Sequence, residues 1–368
     1  MNKDHKKEQK YLDASTRQLI WWRYKKHALA MIGLWFIGLL YFSAACCEFL
    51  APYAQDRRHF DSVYSCPSKI RIFDQEGRLR RPFVYGMALD VDEVTQQICY
   101  KEITEQRHPI RLFVTGDAYD FWGLWRSKLH LFGVDSPGKI YLFGTDRMGR
   151  DMFSRCLYGS RISLSIGMLG VFLSLVLGLI LGGISGYRGG WADLLIQRVI
   201  EIIRCFPSIP LWMGLAAAMP PHWHALKVYF VITIILSLVG WTDLARVVRG
   251  KLIALRDEEF VLAARFAGAS HTRIIFRHLI PSFTSHIIVT VTLAIPSMVL
   301  AETALSFLGI GLKPPITSLG VLLKEAQNVT TIALYPWLLI PVVFVIATVL
   351  SFNFVGDGLR DAVDPYSR

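Results

Sequence analysis

The run from Ile162 to Gly186 limits this chain more than any other stretch, because it holds twenty-five consecutive residues without a charge. Coiled as a helix at about 1.5 Å per residue, it exceeds the ~30 Å hydrocarbon layer of a bilayer. Ala28 to Cys47 is uncharged over twenty residues, and Ser282 to Ala301 over another twenty apart from His286. Val228 to Thr242 with its flanks, and Asn328 to Gly356 around Pro336 and Pro341, are apolar too. Gly178, Gly182 and Gly186 recur every four residues, a spacing that lets helices approach closely in lipid. With 53% of its 368 residues hydrophobic, the chain reads as an all-α polytopic membrane protein.

The first span is placed at 28–51 and the others at about 162–186, 194–219, 226–245, 282–305 and 331–356, six in all. The formal charge of +11 raises nucleic acid as a partner. The basic residues sit beside apolar runs instead of on an aromatic-interleaved stripe, so topology accounts for them and no nucleic acid is expected. Residues 1–27 carry Lys3, Lys6, Lys7, Lys10, Arg17, Arg23, Lys25 and Lys26. Outer loops after 219 hold only Lys227, Lys313 and Lys324. Six spans then put both termini, 1–27 and 357–368, in the cytoplasm. A cleaved signal peptide competes for the first run, with Ser43-Ala44-Ala45 as its cleavage cue, but Phe49-Leu50 continue the apolar character and favour a retained anchor.

Residues 52–158 change character and read as an external, strand-rich subdomain. Lys69–Phe73, the turn Asp74-Gln75-Glu76-Gly77 and Arg78–Tyr85 spell a hairpin. His130–Asp135 and Lys139–Asp146 around Ser136-Pro137-Gly138 spell a second, with a type II turn. Gly133, four residues, then Gly138-Lys139 imitates a phosphate-binding loop, yet Ile140 stands where Ser or Thr would hold Mg²⁺, and the residues after it are strand-like. No nucleotide site is assigned. Six cysteines show no metal-ligand spacing, so no metal is assigned either. Cys66 and Cys99 lie well inside the external segment, where a bridge would persist; the sequence leaves their pairing open.

The segment 246–281 is a charged island between two apolar runs. Asp257, Glu258 and Glu259 favour a helix N-terminus, and Phe260, Ala263, Ala264 and Ala267 recur at helical spacing. Gly268 suits a left-handed stop, and Ser270 caps a second helix running through Ile274, Ile275 and Phe276 toward Pro281. Arg265 and Arg273 are among the seven basic residues on its rim. Helix, tight bend and helix make a surface suited to another protein.

Here the chain resembles a known family. Ala263-Ala264, three residues, Gly268 and then Ile280-Pro281 are similar to the EAA loop of ABC-importer permeases. ARVVRG, VLAARFAGAS and IIFRHLIP resemble the dipeptide/oligopeptide-type members, as do GTD-x-x-GRD-x-x-SR from Gly144, TALSFLGIGL from Thr303 and NFVGDGLRDAVDP from Asn353. Leu262 replaces the Glu that names the motif. The resemblance implies a type I importer core over 159–358 and a cytoplasmic ATPase-docking loop at 246–281. Its docking residues would be Glu258, Glu259, Phe260, Ala263, Ala264, Arg265, Gly268, Ala269, Ser270 and Arg273. It also implies a second homologous permease, two ATPase subunits that bind ATP and Mg, a periplasmic substrate-binding protein, and a place in the bacterial inner membrane. Peptide is the expected solute; nickel chelates or oligosaccharides remain alternatives, and a membrane sensor is the rival class.

Charges within the spans are candidates of their own. Arg198, Glu201 and Arg204 form a stripe near 194–219, and Glu302 ends the fifth run; together they are a candidate translocation path. An ion-pair network and a packing role are the competing readings. No Ser-His pair, H-E-x-x-H or paired carboxylates appear, so no catalytic residue is assigned and the chain is not expected to be an enzyme.

Overall fold

The computed structural model describes residues 14–91, 98–220 and 222–364, with backbone alone for Thr16, Arg17, Val91, Ile98 and Cys99. Lys3, Lys6, Lys7 and Lys10 of the basic tail lie outside the described residues. In chain order the main helices begin with α1 (Thr16–Tyr24), α2 (Ala28–Ala45), α3 (Met152–Arg188), α4 (Gly190–Cys205) and α5 (Ser208–Ala217). They continue with α6 (Ala225–Leu255), α7 (Glu259–Phe266), α8 (Thr284–Phe307), α9 (Leu319–Glu325), α10 (Val329–Leu334) and α11 (Ile340–Val363). Strands β1 (Arg71–Phe73), β2 (Leu79–Val91), β3 (Ile98–Phe121) and β4 (Trp125–Val134) lie between α2 and α3.

The described residues form two compact units, one within Met1–Leu39, Ser165–Glu302 and Ala347–Arg368, the other within Leu40–Leu164 and Thr303–Ile346. In the first, Ser15 and Gln18 cap α1 reciprocally, Ser15 Oγ accepting from Gln18 N–H and Gln18 Oε1 from Ser15 N–H. Buried Tyr24 donates to Ala30 O at 3.1 Å and packs with Val355 and Ala362. The predicted glycine seam is real. A Cβ on Gly182 would stand 2.6 Å from Ala245 O, and one on Gly186 2.8 Å from Arg249 O, so only glycine lets α3 lie this close to α6.

Among the described residues five helical stretches are long and apolar enough to cross a membrane: α2, α3, α6, α8 and Pro336–Val363. The single span expected at 194–219 is instead two helices, α4 and α5, bent by 88°; counted together they make a sixth. Pro207 is the cause, since it excludes helical geometry at the residue before it and Phe206 is extended at φ −89°, ψ 136°. The last span also shifts from the expected 331–356. Pro336 ends α10 after Tyr335, which is off the helical region at φ −129°, ψ 67°, and α11 then carries Pro341 in its first turn, where no N–H is needed. It then runs to Val363, into the stretch expected to be a terminal tail. Likewise α6 continues past 245 to Leu255, and α3 reaches back to Met152, inside the stretch expected to be external.

The second unit carries an antiparallel sheet in the order β1-β2-β3-β4. The first hairpin is as expected. Asp74 Oδ1 accepts from the N–H of Glu76 and Arg78, and Gly77 takes the left-handed position at φ 73°. The second expected hairpin is wrong. His130 and Val134 pair with Val114 and Ile110 of β3, and 139–146 forms no strand. Its backbone is stitched to another segment: Ser68 N–H donates to Tyr141 O at 2.7 Å and Thr145 N–H to Ser65 O at 2.9 Å. The 24-residue β3, unforeseen, simply outcompetes a short local partner. Cys66 is a free thiol with its Sγ 3.9 Å from Met87 Sδ, while the Cys99 side chain lies outside the described residues.

Candidate functional site

The segment 246–281 folds on a small core that it shares with the neighbouring parts of α3, α6 and α8. The first part is the end of α6, capped where Arg256 N–H meets Leu252 O at 2.9 Å. After a short turn Glu258 holds the N-cap position of α7, extended at φ −68°, ψ 150°, with Glu259 in the first turn beside the positive helix end. Val261 is fully buried against Leu252, Ile274 and Leu279. The stop of α7 is a complete Schellman motif: Ala269 N–H donates to Ala264 O at 3.1 Å and Gly268 N–H to Arg265 O at 3.0 Å. Gly268 occupies the left-handed position, φ 76°, with open space around it. Its requirement is therefore backbone conformation, not room.

Ala264 and Ala269 are half-buried and face this shared core, so the small residue at 264 serves the closure of the motif. Ser270 Oγ accepts from Arg273 N–H at 3.3 Å, the expected second cap. His271 Nδ1 lies 3.1 Å from the Tyr187 hydroxyl and ties the bend to the end of α3. The second helix departs from expectation: Ile274–Leu279 is a widened π-turn, with Ile280 N–H bonded to Ile275 O. Pro281 explains it, because its ring would press on the carbonyl four residues back in a tight α-turn.

Of the ten predicted docking residues, Glu258, Glu259, Phe260, Ala263, Arg265, Gly268, Ser270 and Arg273 are exposed. Sequence reading missed the most prominent member. Phe266 ends α7 at 89% exposure, with Phe276 also uncovered nearby in sequence. The helical wheel would have shown it, since five residues on from buried Val261 is about 140° around the helix. An apolar centre with a charged rim is the make-up of a protein interface.

In the same unit α3, α5, α6, α8 and α11 border a half-open cavity of about 900 Å³. Val171, Leu236 and Met298 give it apolar wall; Ser174, Thr290 and Ser297 give hydroxyls. Trp212 Nε1 is buried there without a partner. Lys251, Arg360, Asp243 and Asp364 supply charge, and His286 an imidazole. Of the four candidate path residues only Arg198 and Glu201 are brought together, and none of the four lines this space. Arg198 pairs with Glu201 at 2.7 Å, Arg204 pairs with Asp243, and Glu302 is fully buried within α8. Among the described residues no group of three or more His, Cys, Asp or Glu side chains is placed to hold a metal ion.

The polar phrase before α3 builds a buried ion cluster in the second unit. Asp146 accepts from Arg150 at 2.7 Å and from Arg155, and both arginines also reach Glu325 of α9, at 2.9 and 3.3 Å. Glu325 lies far along the chain, and nothing in its surroundings in sequence marks it. Asp151 accepts from Ser154 N–H and Oγ, yet its Oδ1 is buried without a partner. Burial pushes its carboxyl up to about 6.

The chain is similar to known proteins over most of its length. Residues 175–368 match the model of a family described as binding-protein-dependent transport system inner membrane component. Residues 15–67 match one described as the N-terminal TM domain of oligopeptide transport permease C. The chain is 39% identical over 244 residues to the oligopeptide transport system permease protein OppC of Bacillus subtilis (strain 168), covering 66% of this chain and 77% of that one. It is 38% identical over 233 residues to the dipeptide transport system permease protein DppC of the same organism, covering 63% and 71%. Among solved structures, the inward-facing MetNI methionine ABC transporter aligns at TM-score 0.46 and 18% identity, over 58% of this chain and 98% of that one.

Proposed function

This chain belongs to the family of binding-protein-dependent transport system inner membrane components, and from that premise we propose that it is the permease subunit of an ABC importer carrying peptides across a bacterial inner membrane. It has the type I core with six spans, α4 and α5 serving as one broken span. Both termini and the 246–281 module face the cytoplasm. Two separate ATPase subunits bind ATP and Mg and hydrolyse it; a second homologous permease and a periplasmic binding protein complete the assembly. The peptide assignment draws on relatives whose names carry oligopeptide and dipeptide transport.

One observation carries the reading: the 246–281 module, closed by a Schellman turn, presents Phe266 uncovered amid exposed charge. A soluble-facing connector gains nothing from such an anchor, whereas an ATPase subunit would cover it. The module shares its core with the ends of α6 and α8, through Leu252, Phe283 and Ile287. Movement of a docked ATPase would therefore tilt those two helices, which wall the cavity. The mixed apolar and charged lining suits a solute with charged ends and varied side chains.

The test joins topology to partnership. Ser270→Cys, in a background without native cysteines, should react with impermeant thiol reagents only in opened cells, and Ser136→Cys whenever the outer barrier is permeable. The chain should co-purify with an ATPase subunit. Labelling of Ser270→Cys from outside, or purification without an ATPase, defeats the assignment.

A further inference from the structure

The two family matches leave residues 68–174 between them, and all four strands of the sheet lie there. Strands β3 and β4 end in a tight turn closed by Leu124 N–H on Phe121 O at 2.9 Å. Its central residues, Trp122 at φ 51° and Gly123 at φ 69°, are both left-handed. Asn-Gly makes such a turn with least strain; an indole in the first place works against the backbone. Its contacts show what the Trp gains. Nε1–H donates to Ala45 O at 2.9 Å, and the Arg161 guanidinium lies over the ring, 4.4 Å from its centroid.

Both partners mark depth. Ala45 is the last residue of α2, a stretch of 18 residues that rises about 27 Å. Arg161, paired with Glu48, is the last charged residue before the twenty-five uncharged ones of α3. With α2 and α3 read as spans, Trp122 stands at the level where hydrocarbon gives way to headgroups. At that level the turn exposes Trp122 by 56%, Leu124 by 75% and Trp125 by 58%, and Arg126 and Lys128 follow uncovered. Phe113, also left-handed and exposed, meets the Phe49 ring just beyond α2 at 6.3 Å between centroids. Indoles with one polar edge, an exposed Leu and adjacent cations are the equipment of a membrane interface.

We propose that the Phe121–Trp125 turn is an interfacial anchor, seated in the headgroup–acyl boundary of the bilayer on the insertion's side. The proposal rests on the reading of α2 and α3 as spans, and it gives the insertion a second hold on the membrane. A rigid sheet held at both its base and its tip keeps a fixed attitude to the bilayer. Lipid is the occupant because the apolar surface is continuous in depth with the ends of α2 and α3, both long and apolar enough to cross a membrane.

The test uses the whole transporter in vesicles. Single cysteines at Leu124→Cys, Ser136→Cys and Leu39→Cys, each in the cysteine-free background, carry an environment-sensitive fluorophore. Leu124 is surface-exposed, so the label leaves the fold intact. Quenching of the 124 probe by lipids spin-labelled near the headgroup, with protection from iodide, is the expected result; the 136 probe should show the reverse. The 39 probe, on α2, should be quenched by deeper spin labels. If the 39 probe is quenched and the 124 probe is open to iodide, the anchor alone is overturned. Protection of the 124 probe without lipid quenching means that another protein covers the tip, which also overturns it. Failure of lipid quenching at both 39 and 124 removes the spans and the anchor together.

Discussion

Replacing Phe266 by alanine separates docking from folding better than any other change in the 246–281 module. The side chain is 89% exposed, so the isolated subunit loses almost none of its packing when the ring is removed. Fully burying a Phe contributes roughly 1.5–3 kcal/mol, and scaling by the exposed fraction leaves about 2 kcal/mol available from an ATPase that covers it. About 2 kcal/mol is about 30-fold in Kd. The assay is titration of purified ATPase subunits onto the permease pair in nanodiscs at one fixed nucleotide state. Thermal melting of the unliganded pair is followed alongside. Phe266→Ala should weaken association about 30-fold with an unchanged melt. Val261→Ala, at a fully buried position, should lower the melt first, by roughly 1–3 kcal/mol of stability. An unchanged Kd for Phe266→Ala would refute the placement of the anchor, and a lowered melt would refute the reasoning that nothing in the free subunit depends on the ring.

Gly268→Val should cost about 1–2 kcal/mol through left-handed strain alone, because no atom stands within 4 Å of its missing Cβ; ATPase association and uptake at matched membrane levels should fall together, and Gly268→Asn should restore much of both. Arg155→Met removes one of two arginines that hold Asp146 and Glu325. It should lower stability by about 3 kcal/mol, the low end for a broken buried pair because Arg150 remains; an unchanged melt would show the cluster to be wetter than its burial suggests. Asp151 has a folded-state value raised to about 6 by burial. Its stabilising contribution is therefore complete below the ordinary carboxylate value and lost as pH rises through about 6, to the extent of about 3 kcal/mol. Asp151→Asn, measured by melting between those limits, should flatten that dependence; equal slopes for both proteins would rule out Asp151 as its source.

What was legible in the sequence is what neighbours along the chain decide. Uncharged runs located α2, α3, α6 and α8 because a bilayer selects on length and polarity, which need no tertiary partner. Capping is equally local, so Glu258, Gly268 and Ser270 were readable as the ends of two helices, and Asp74 to Gly77 as a turn. Even the close approach of α3 and α6 was foreshadowed by the spacing of Gly178, Gly182 and Gly186. The 88° bend at Phe206–Pro207 was half legible: Pro207 announces a break, but not its angle. Strand partners were not legible, because a ladder joins residues far apart and any nearby extended run is a rival. Local pattern sets 139–146 beside β4, whereas β3 takes that place and Ser65 and Ser68 take the backbone of 139–146. The closure of the Asp146 cluster by Glu325 across the chain, and the exposure of Phe266 beside a buried Val261, depend on which surfaces remain after packing. Only the tertiary structure decides that, since burial is a property of the assembled neighbours and not of the residue itself.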